Sequence, residues 1–135
     1  MRRRVVVEDP AVESIDIAAT SAKVWNLLTR VTTIPIWYDG WDSVQVPPAA
    51  ADELEVGLTF VLEARRFGRR SEATCRVTEL VQGHSISWVE SVDRGRRVLV
   101  RFDLLDEGAN LTRVQLTRAS LGTAFTRSET TPSAP

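Results

Sequence analysis

The sequence predicts an α+β fold in which one helix or helix pair covers an antiparallel sheet of about six or seven strands. Two observations favour this class. An alternating segment over residues 13–20 is followed directly by a helical apolar stripe over residues 20–31. From Leu58 onward, strand-like segments repeat with short turns between them, most of which contain glycine, and this is the pattern of antiparallel hairpins.

Residues 13–31 are predicted to form the first strand and the first helix. Polar and apolar residues alternate in ESIDIAAT, so Ile15 and Ile17 lie on one face of a strand. The next apolar residues have the spacing of one helical face: Val24, Leu27, Leu28 and Val31. Thr20 or Ser21 is a suitable N-cap, so the sequence places the strand–helix boundary here.

The segment that follows the first helix is predicted to be short and irregular. Residues 32–37 form another helical turn, because Pro35 is tolerated near the start of a helix. Residues 43–48 form a short strand that ends at Pro47, and residues 49–57 form a loop or one helical turn.

Five further strands are predicted after Leu58, joined by turns at Gly68-Arg69, at Gln82-Gly83, at residues 93–95 and around Gly108. One predicted row across this sheet reads Phe60, Val77, Trp88, Val100 and Leu116. The next predicted row reads Leu62, Cys75, Glu90, Val98 and Arg118. A slip of one residue in any turn would mix the apolar and polar faces, so the agreement of the turns supports one apolar face.

Composition bounds the function classes. The chain has 135 residues and a net charge of −1, which fits one ordinary domain and argues against a nucleic-acid binder. It has no apolar run long enough to span a membrane. One cysteine excludes an internal disulfide, and we expect a cytoplasmic protein. One histidine and one cysteine also exclude the usual zinc sets, so we expect no metal and no cofactor.

The chain is predicted to contain one domain with two extensions. Residues 1–11 form an N-terminal extension, residues 12–121 form the domain, and residues 122–135 form a flexible tail. The tail prediction rests on its high content of Ser, Thr and Pro.

Four segments resemble those of the START-like superfamily, which includes the polyketide cyclase/dehydrases: IDIAATSAKVWNLLT, IPIWYDGW, LEVGLTFVL and CRVTELVQGHSISW. The resemblance implies a helix-grip fold, in which a curved sheet wraps a long C-terminal helix and encloses an apolar cavity for a hydrophobic ligand. The sequence departs from this pattern after Arg118, where Gly122 interrupts a short polar remainder. We therefore expect the long C-terminal helix to be short or missing.

Three aromatic residues cluster where the helical segment turns back into the sheet. The resemblance places Trp37, Tyr38 and Trp41 at the mouth of the cavity. Trp37 is interpreted as a wedge between helix and sheet, whereas Tyr38 and Trp41 are candidates for the lining of an entrance. The alternative is that all three rings are core residues under a loop.

The predicted apolar face supplies the other ligand-binding candidates: Phe60, Leu62, Trp88, Val100 and Leu116. In a cavity fold, a core residue and a wall of the ligand site can be the same residue. Glu90 and Arg118 are the unusual members of this face, because a charge on a buried face needs a partner. They form either a salt bridge or the polar end of a pocket, where Arg118 binds a carbonyl or carboxylate and Glu90 acts as the catalytic base.

Three functions remain open on the sequence. The first is a domain that binds a small hydrophobic molecule and, if it is an enzyme, carries out the cofactor-free aldol chemistry that the resemblance to polyketide cyclase/dehydrases implies. The second is a non-catalytic carrier or sensor of a lipid-like ligand, and the third is an interaction module that uses the open sheet face. One helix cannot cover the whole apolar face, so we also expect a homodimer that buries part of it.

Overall fold

The computed structural model describes residues 7–48, 52–92 and 95–121, and in these the chain forms one antiparallel sheet with short helices on one face. The elements are β1 (Val7–Ile17), α1 (Ser21–Leu28), a 3₁₀ turn (Val31–Thr33), α2 (Ile34–Trp37), β2 (Ser43–Gln45), β3 (Thr59–Arg66), β4 (Arg69–Val81), β5 (Ser85–Ser91), β6 (Arg97–Gly108) and β7 (Leu111–Leu121). None of the described helices is long and apolar enough to cross a membrane.

The seven strands have the order β1-β7-β6-β5-β4-β3-β2, and every neighbouring pair is antiparallel. The first and last strands are therefore partners, while β2 to β7 follow one another as a meander. This architecture confirms the predicted α+β class. β1 begins at Val7, inside the segment 1–11 that the sequence assigns to an extension, and the tail 122–135 lies outside the described residues.

The central strands pair as the sequence predicts. Cys75 is opposite Glu90, and Trp88 is opposite both Val77 and Val100. The prediction of a two-residue turn at Gln82-Gly83 is wrong, however. Val81 pairs with Ser85, so the loop has three residues, 82–84. A β-bulge between Val77 and Glu79 absorbs the extra residue and restores the predicted register.

The first and last predicted hairpins are each displaced by two residues. Phe60 pairs with Cys75, and Arg118 pairs with Val100. The β3–β4 turn is Phe67-Gly68 because a type I′ turn favours glycine at its second position, where Gly68 has φ +76°. A displacement of two residues keeps every side chain on its predicted face, so the apolar face survives although its rows change.

Helix α1 is shorter than predicted and presents a rotated stripe. Thr20 is its N-cap and accepts a hydrogen bond from the backbone N–H of Lys23 at 3.3 Å. The buried residues of α1 are Val24, Trp25 and Leu28. The buried face of the helix is therefore rotated toward Trp25 and away from Leu27, compared with the predicted stripe. Leu27, predicted to face the core, therefore lies on the flank of the helix and is 45% exposed.

The core lies between the helical segment and the inner face of the sheet. Val31 of the 3₁₀ turn and Ile34 of α2 are fully buried, and they pack with the inward residues of β3 to β6. Within the described residues the helices have eight and four residues. The predicted shortening of the C-terminal helix concerns residues after Leu121, which the structure does not describe.

Candidate functional site

A groove with a volume of about 390 Å³ lies between the helical segment and the β1–β7–β6 part of the sheet. Its lining residues are Glu13, Ser14, Ile15, Ile17, Leu27, Leu28, Trp37, Tyr38, Asp39, Phe102, Val114, Leu116 and Arg118. The groove exists because the helices cover the centre of the sheet and leave the β1 edge open, where inward-facing Ile15 is 62% exposed.

The walls of the groove formed by β7 and the helical segment are apolar, and a guanidinium group lies at one end. Alternate residues of β7 point into it in the order Val114, Leu116 and Arg118. Leu27 and Trp37 form the opposite wall from the helical segment. A ligand that fills the groove would thus contact hydrocarbon along β7 and a guanidinium group at the end.

A buried carboxylate lies behind the polar end. Glu90 is 1% exposed, and its Oε2 accepts hydrogen bonds from the Tyr38 hydroxyl at 2.7 Å and from Trp88 Nε1 at 3.0 Å. Its Oε1 lies 3.4 Å from Nη2 of Arg118. Nη1 of Arg118 donates to the Tyr38 hydroxyl at 2.9 Å, which closes a three-residue network.

Burial and the neighbouring Glu90 carboxylate keep two groups protonated, the Tyr38 hydroxyl and the Cys75 thiol. Burial, and next the charge of Glu90, raise the pKa of the Tyr38 hydroxyl, so Tyr38 is a neutral phenol that donates a hydrogen bond to Glu90. The same two causes raise the pKa of the Cys75 thiol, which faces Glu90 across the β4–β5 pair. Cys75 is therefore a protonated core residue and not a nucleophile.

Aromatic rings hold the network in place. The Trp88 ring packs edge-to-face on Tyr38 at 5.9 Å and on Phe60 at 5.3 Å between centroids. Phe102 contacts Trp37 edge-to-face at 5.2 Å and Trp88 at 5.1 Å. These contacts fix the Tyr38 hydroxyl and Trp88 Nε1, the two neutral donors to Glu90.

The predicted site residues separate into two groups. Trp37, Tyr38, Leu116 and Arg118 line the groove. Phe60, Leu62, Trp88 and Val100 lie in the core away from the groove, where each is at most 1% exposed. Trp41 packs against the core and does not line the groove.

Glu90 and Arg118 were predicted to share one row of the sheet. In the structure Arg118 belongs to the row of Trp88 and Val100, because the β6–β7 register is displaced by two residues. The long arginine side chain still reaches Glu90 diagonally, so the predicted contact exists although the predicted row was wrong.

Sequence reasoning missed the contribution of β1, α1 and β6 to the groove, which comes from Ile15, Ile17, Leu27 and Phe102, and it also missed Val114 of β7. The alternation in ESIDIAAT already placed Ile15 and Ile17 on one face. It could not show that this strand pairs with the last one, because no local turn joins them. Among the described residues, no group of three or more His, Cys, Asp or Glu side chains could hold a metal ion.

Comparison with known proteins places the chain in a family. Residues 11–132 match the family described as polyketide cyclase/dehydrase and lipid transport. No curated protein matches the sequence significantly.

Solved structures agree on the fold. A START superfamily protein from Mycobacterium smegmatis superposes with a TM-score of 0.64 at 12% identity, over 92% of this chain and 81% of that one. The Zhui aromatase/cyclase from a Streptomyces species gives a TM-score of 0.67 at 17% identity, over 86% and 70% of the two chains. The fold is thus the START-like helix-grip fold, and the chain belongs to the polyketide cyclase/dehydrase and lipid transport family.

Proposed function

We propose that this domain binds a small hydrophobic molecule that carries one polar oxygen. The apolar part of the ligand occupies the groove, and the oxygen contacts Arg118. The observation that carries the proposal is the apolar groove with a guanidinium group at its end. Membership of a family described by polyketide and lipid chemistry supports a hydrophobic ligand.

Arg118 has free donors for such an oxygen. A guanidinium has five N–H donors, and within the described residues one on Nη1 bonds Tyr38 and one on Nη2 bonds Glu90. The side chain is 39% exposed, so its remaining donors face the groove or solvent. A hydrogen bond from a charged donor in a partly buried groove is stronger than a neutral one.

Glu90 acts in this proposal by positioning the groove residues. Its carboxylate is buried, and three donors already surround it. It holds Arg118 in one orientation and compensates part of its charge. Two exposed carboxylates, Glu13 and Asp39, also line the groove, so we expect a ligand with one oxygen group rather than several anionic ones.

The first prediction concerns the groove itself. Leu116→Trp is expected to weaken binding of the fluorescent dye N-phenylnaphthylamine by about ten-fold or more, because the larger ring occupies the groove. Leu105→Trp is the matched control, because Leu105 is partly exposed on the opposite face of β6. Fluorescence titration measures both affinities, and equal affinity of the two variants would contradict a ligand site in this groove.

The second prediction concerns Arg118. Anilinonaphthalene sulfonate differs from N-phenylnaphthylamine by one sulfonate group, so the affinity ratio of the two dyes reports an anion contact. We expect the sulfonate dye to bind about ten-fold more tightly, the effect of one charged hydrogen bond. The double variant Glu90→Gln/Arg118→Met is expected to lose this preference. Glu90→Gln alone keeps the guanidinium, and we expect it to keep most of the preference for the sulfonate dye. A double variant that still prefers the sulfonate dye would exclude Arg118 as the anchor.

Catalysis on a carbonyl compound is the second candidate function. The observation that favours it is the contact of Arg118 with the Tyr38 hydroxyl, because this contact holds a guanidinium in the groove that could stabilise an enolate oxygen. Glu90, the base predicted from the sequence, would have to release one of its three donors to accept a proton. Deuterium exchange at the α-carbon of phenylacetone, followed by NMR, tests this function. If the protein accelerates this exchange and Arg118→Lys reduces the acceleration, the result would support an enzyme. If the protein does not accelerate the exchange, the result would favour a non-catalytic carrier.

The homodimer stays a prediction. Ile15 is exposed on the inner face of β1, an edge strand of the described sheet, and this supports burial of part of that face by a second copy. Sedimentation equilibrium is expected to give twice the chain mass of 15.0 kDa, and Ile15→Lys is expected to return it to the monomer value. A parent protein that sediments as a monomer would exclude the dimer.

A further inference from the structure

The hairpin between β3 and β4 projects from one end of the sheet. The last pair between β4 and β5 is Thr74 with Ser91, whereas β4 continues to pair with β3 as far as Arg69. Residues 69–73 therefore extend about 16 Å past the end of β5, at about 3.3 Å per residue. We name residues 65–70, with the sequence RRFGRR, the arginine hairpin.

The apex of the arginine hairpin breaks the usual rules of a turn. Phe67 is fully exposed and has φ +52°, a left-handed conformation that is unfavourable for a bulky residue. A type I′ turn normally has asparagine or aspartate before its glycine. Phe67 gains no burial in the fold in return, so folding gives no reason for an aromatic ring here.

The charges of the arginine hairpin are also unfavourable within the fold. Arg65 lies directly opposite Arg70, and Arg66 lies directly opposite Arg69. Like charges in opposite positions destabilise an antiparallel pair. Neighbouring carboxylates relieve part of this repulsion: Asp42 pairs with Arg66, and Glu63 and Glu72 pair with Arg70.

Two of these arginines have no carboxylate partner among the described residues. Arg65 and Arg69 are exposed and form no ion pair within the described ranges 7–48, 52–92 and 95–121. Arg96, in the β5–β6 connection, and Arg97, the first residue of β6, are exposed at the same end of the sheet. This end therefore presents positive charge around one exposed aromatic ring, although the whole chain has a net charge of −1.

We propose that the arginine hairpin docks the protein on an anionic membrane surface. Phe67 enters the boundary between headgroups and acyl chains, and the arginines bind lipid phosphates. A bilayer presents negative charge in an outer layer and apolar material beneath it. The hairpin has the matching order, with the ring at its apex and the charges behind it. A double-stranded nucleic acid would use the charges, but its bases are stacked inside the duplex and offer no apolar layer for the apex.

Membrane docking does not depend on the ligand proposed for the groove. The arginine hairpin nevertheless contacts a loop that also lines the groove. The backbone N–H of Arg65 and the guanidinium of Arg66 both bind the Asp42 carboxylate. Asp39, in the same loop, lines the groove. A docked hairpin would therefore place this loop, and with it the groove, next to the membrane surface.

Vesicle co-sedimentation of the full chain tests the proposal. Vesicles of phosphatidylcholine mixed with phosphatidylglycerol are compared with vesicles of phosphatidylcholine alone. We expect binding to the anionic vesicles that weakens as salt is added. Phe67→Asn and the double variant Arg65→Gln/Arg69→Gln are each expected to weaken it by about ten-fold. Both changes favour the turn or remove repulsion, so thermal midpoints are expected to stay at or above the parent value.

Two matched controls separate the hairpin from general surface effects. Val56→Asn removes an exposed apolar side chain elsewhere, and Arg76→Gln removes an exposed arginine from the outer face of β4. Both are expected to bind vesicles like the parent. The proposal is overturned by equal binding to the two kinds of vesicle, or by Phe67→Asn binding like the parent. It is also overturned if a single-stranded oligonucleotide displaces the protein from the vesicles, because the charges then serve a nucleic acid.

Discussion

Replacing Trp88 with alanine is expected to lower the free energy of unfolding by about 3–5 kcal/mol, the range for a large aromatic residue removed from a packed core. Trp88 is fully buried and contacts the rings of Tyr38, Phe60 and Phe102. Its Nε1 also donates one of the hydrogen bonds to Glu90. The substitution thus opens a cavity and removes a donor from a buried carboxylate.

Urea denaturation measures this loss, and Trp37→Ala is the matched comparison. Trp37 is partly buried and lines the groove, whereas Trp88 lies behind it. We expect Trp37→Ala to lose less stability but more affinity for N-phenylnaphthylamine. Trp88→Phe keeps most of the ring volume and serves if the alanine variant does not fold. If Trp88→Ala instead lost more dye affinity than Trp37→Ala, the ligand site would lie in the core and not in the groove.

The faces of the sheet could be predicted from sequence because side chains alternate with period two. Each error in the hairpins was absorbed by a bulge or was a displacement of two residues, so Glu90 and Arg118 were correctly placed on the inner face. The exact row depends on which residues adopt positive φ in each turn. The sequence RRFGRR did not reveal this, because Phe67 takes a position that asparagine usually occupies.

The groove was harder to predict because its parts are distant in the chain. β1, the first strand, pairs with β7, the last strand. No local sequence pattern predicts a pairing between segments so far apart in the chain. Tyr38 was placed at an entrance, as an aromatic ring with a polar tip. Its hydrogen bond to Glu90 joins residues 52 positions apart and could not be derived from either segment alone.

The ion pair of Glu90 and Arg118 is expected to respond asymmetrically to substitution. Arg118→Met leaves a carboxylate that is 1% exposed without its cation, which typically costs about 3–5 kcal/mol of unfolding free energy. Glu90→Gln leaves instead a guanidinium whose side chain is 39% exposed and which water can solvate. We therefore expect the glutamine variant to lose less stability than the methionine variant.

The double variant Glu90→Gln/Arg118→Met completes the cycle and measures the coupling of the two side chains. We expect it to be more stable than Arg118→Met alone, with a coupling energy of about 0.5–3 kcal/mol from urea denaturation of the four proteins. The pair of Asp16 and Arg113 is the matched control: its atoms are 2.8 Å apart, but both side chains are more than 40% exposed. An exposed pair is worth about 0–1 kcal/mol. If the buried pair shows additive effects while the surface pair does not, the Glu90 carboxylate is held by Tyr38 and Trp88 alone, and Arg118 is free to serve the groove.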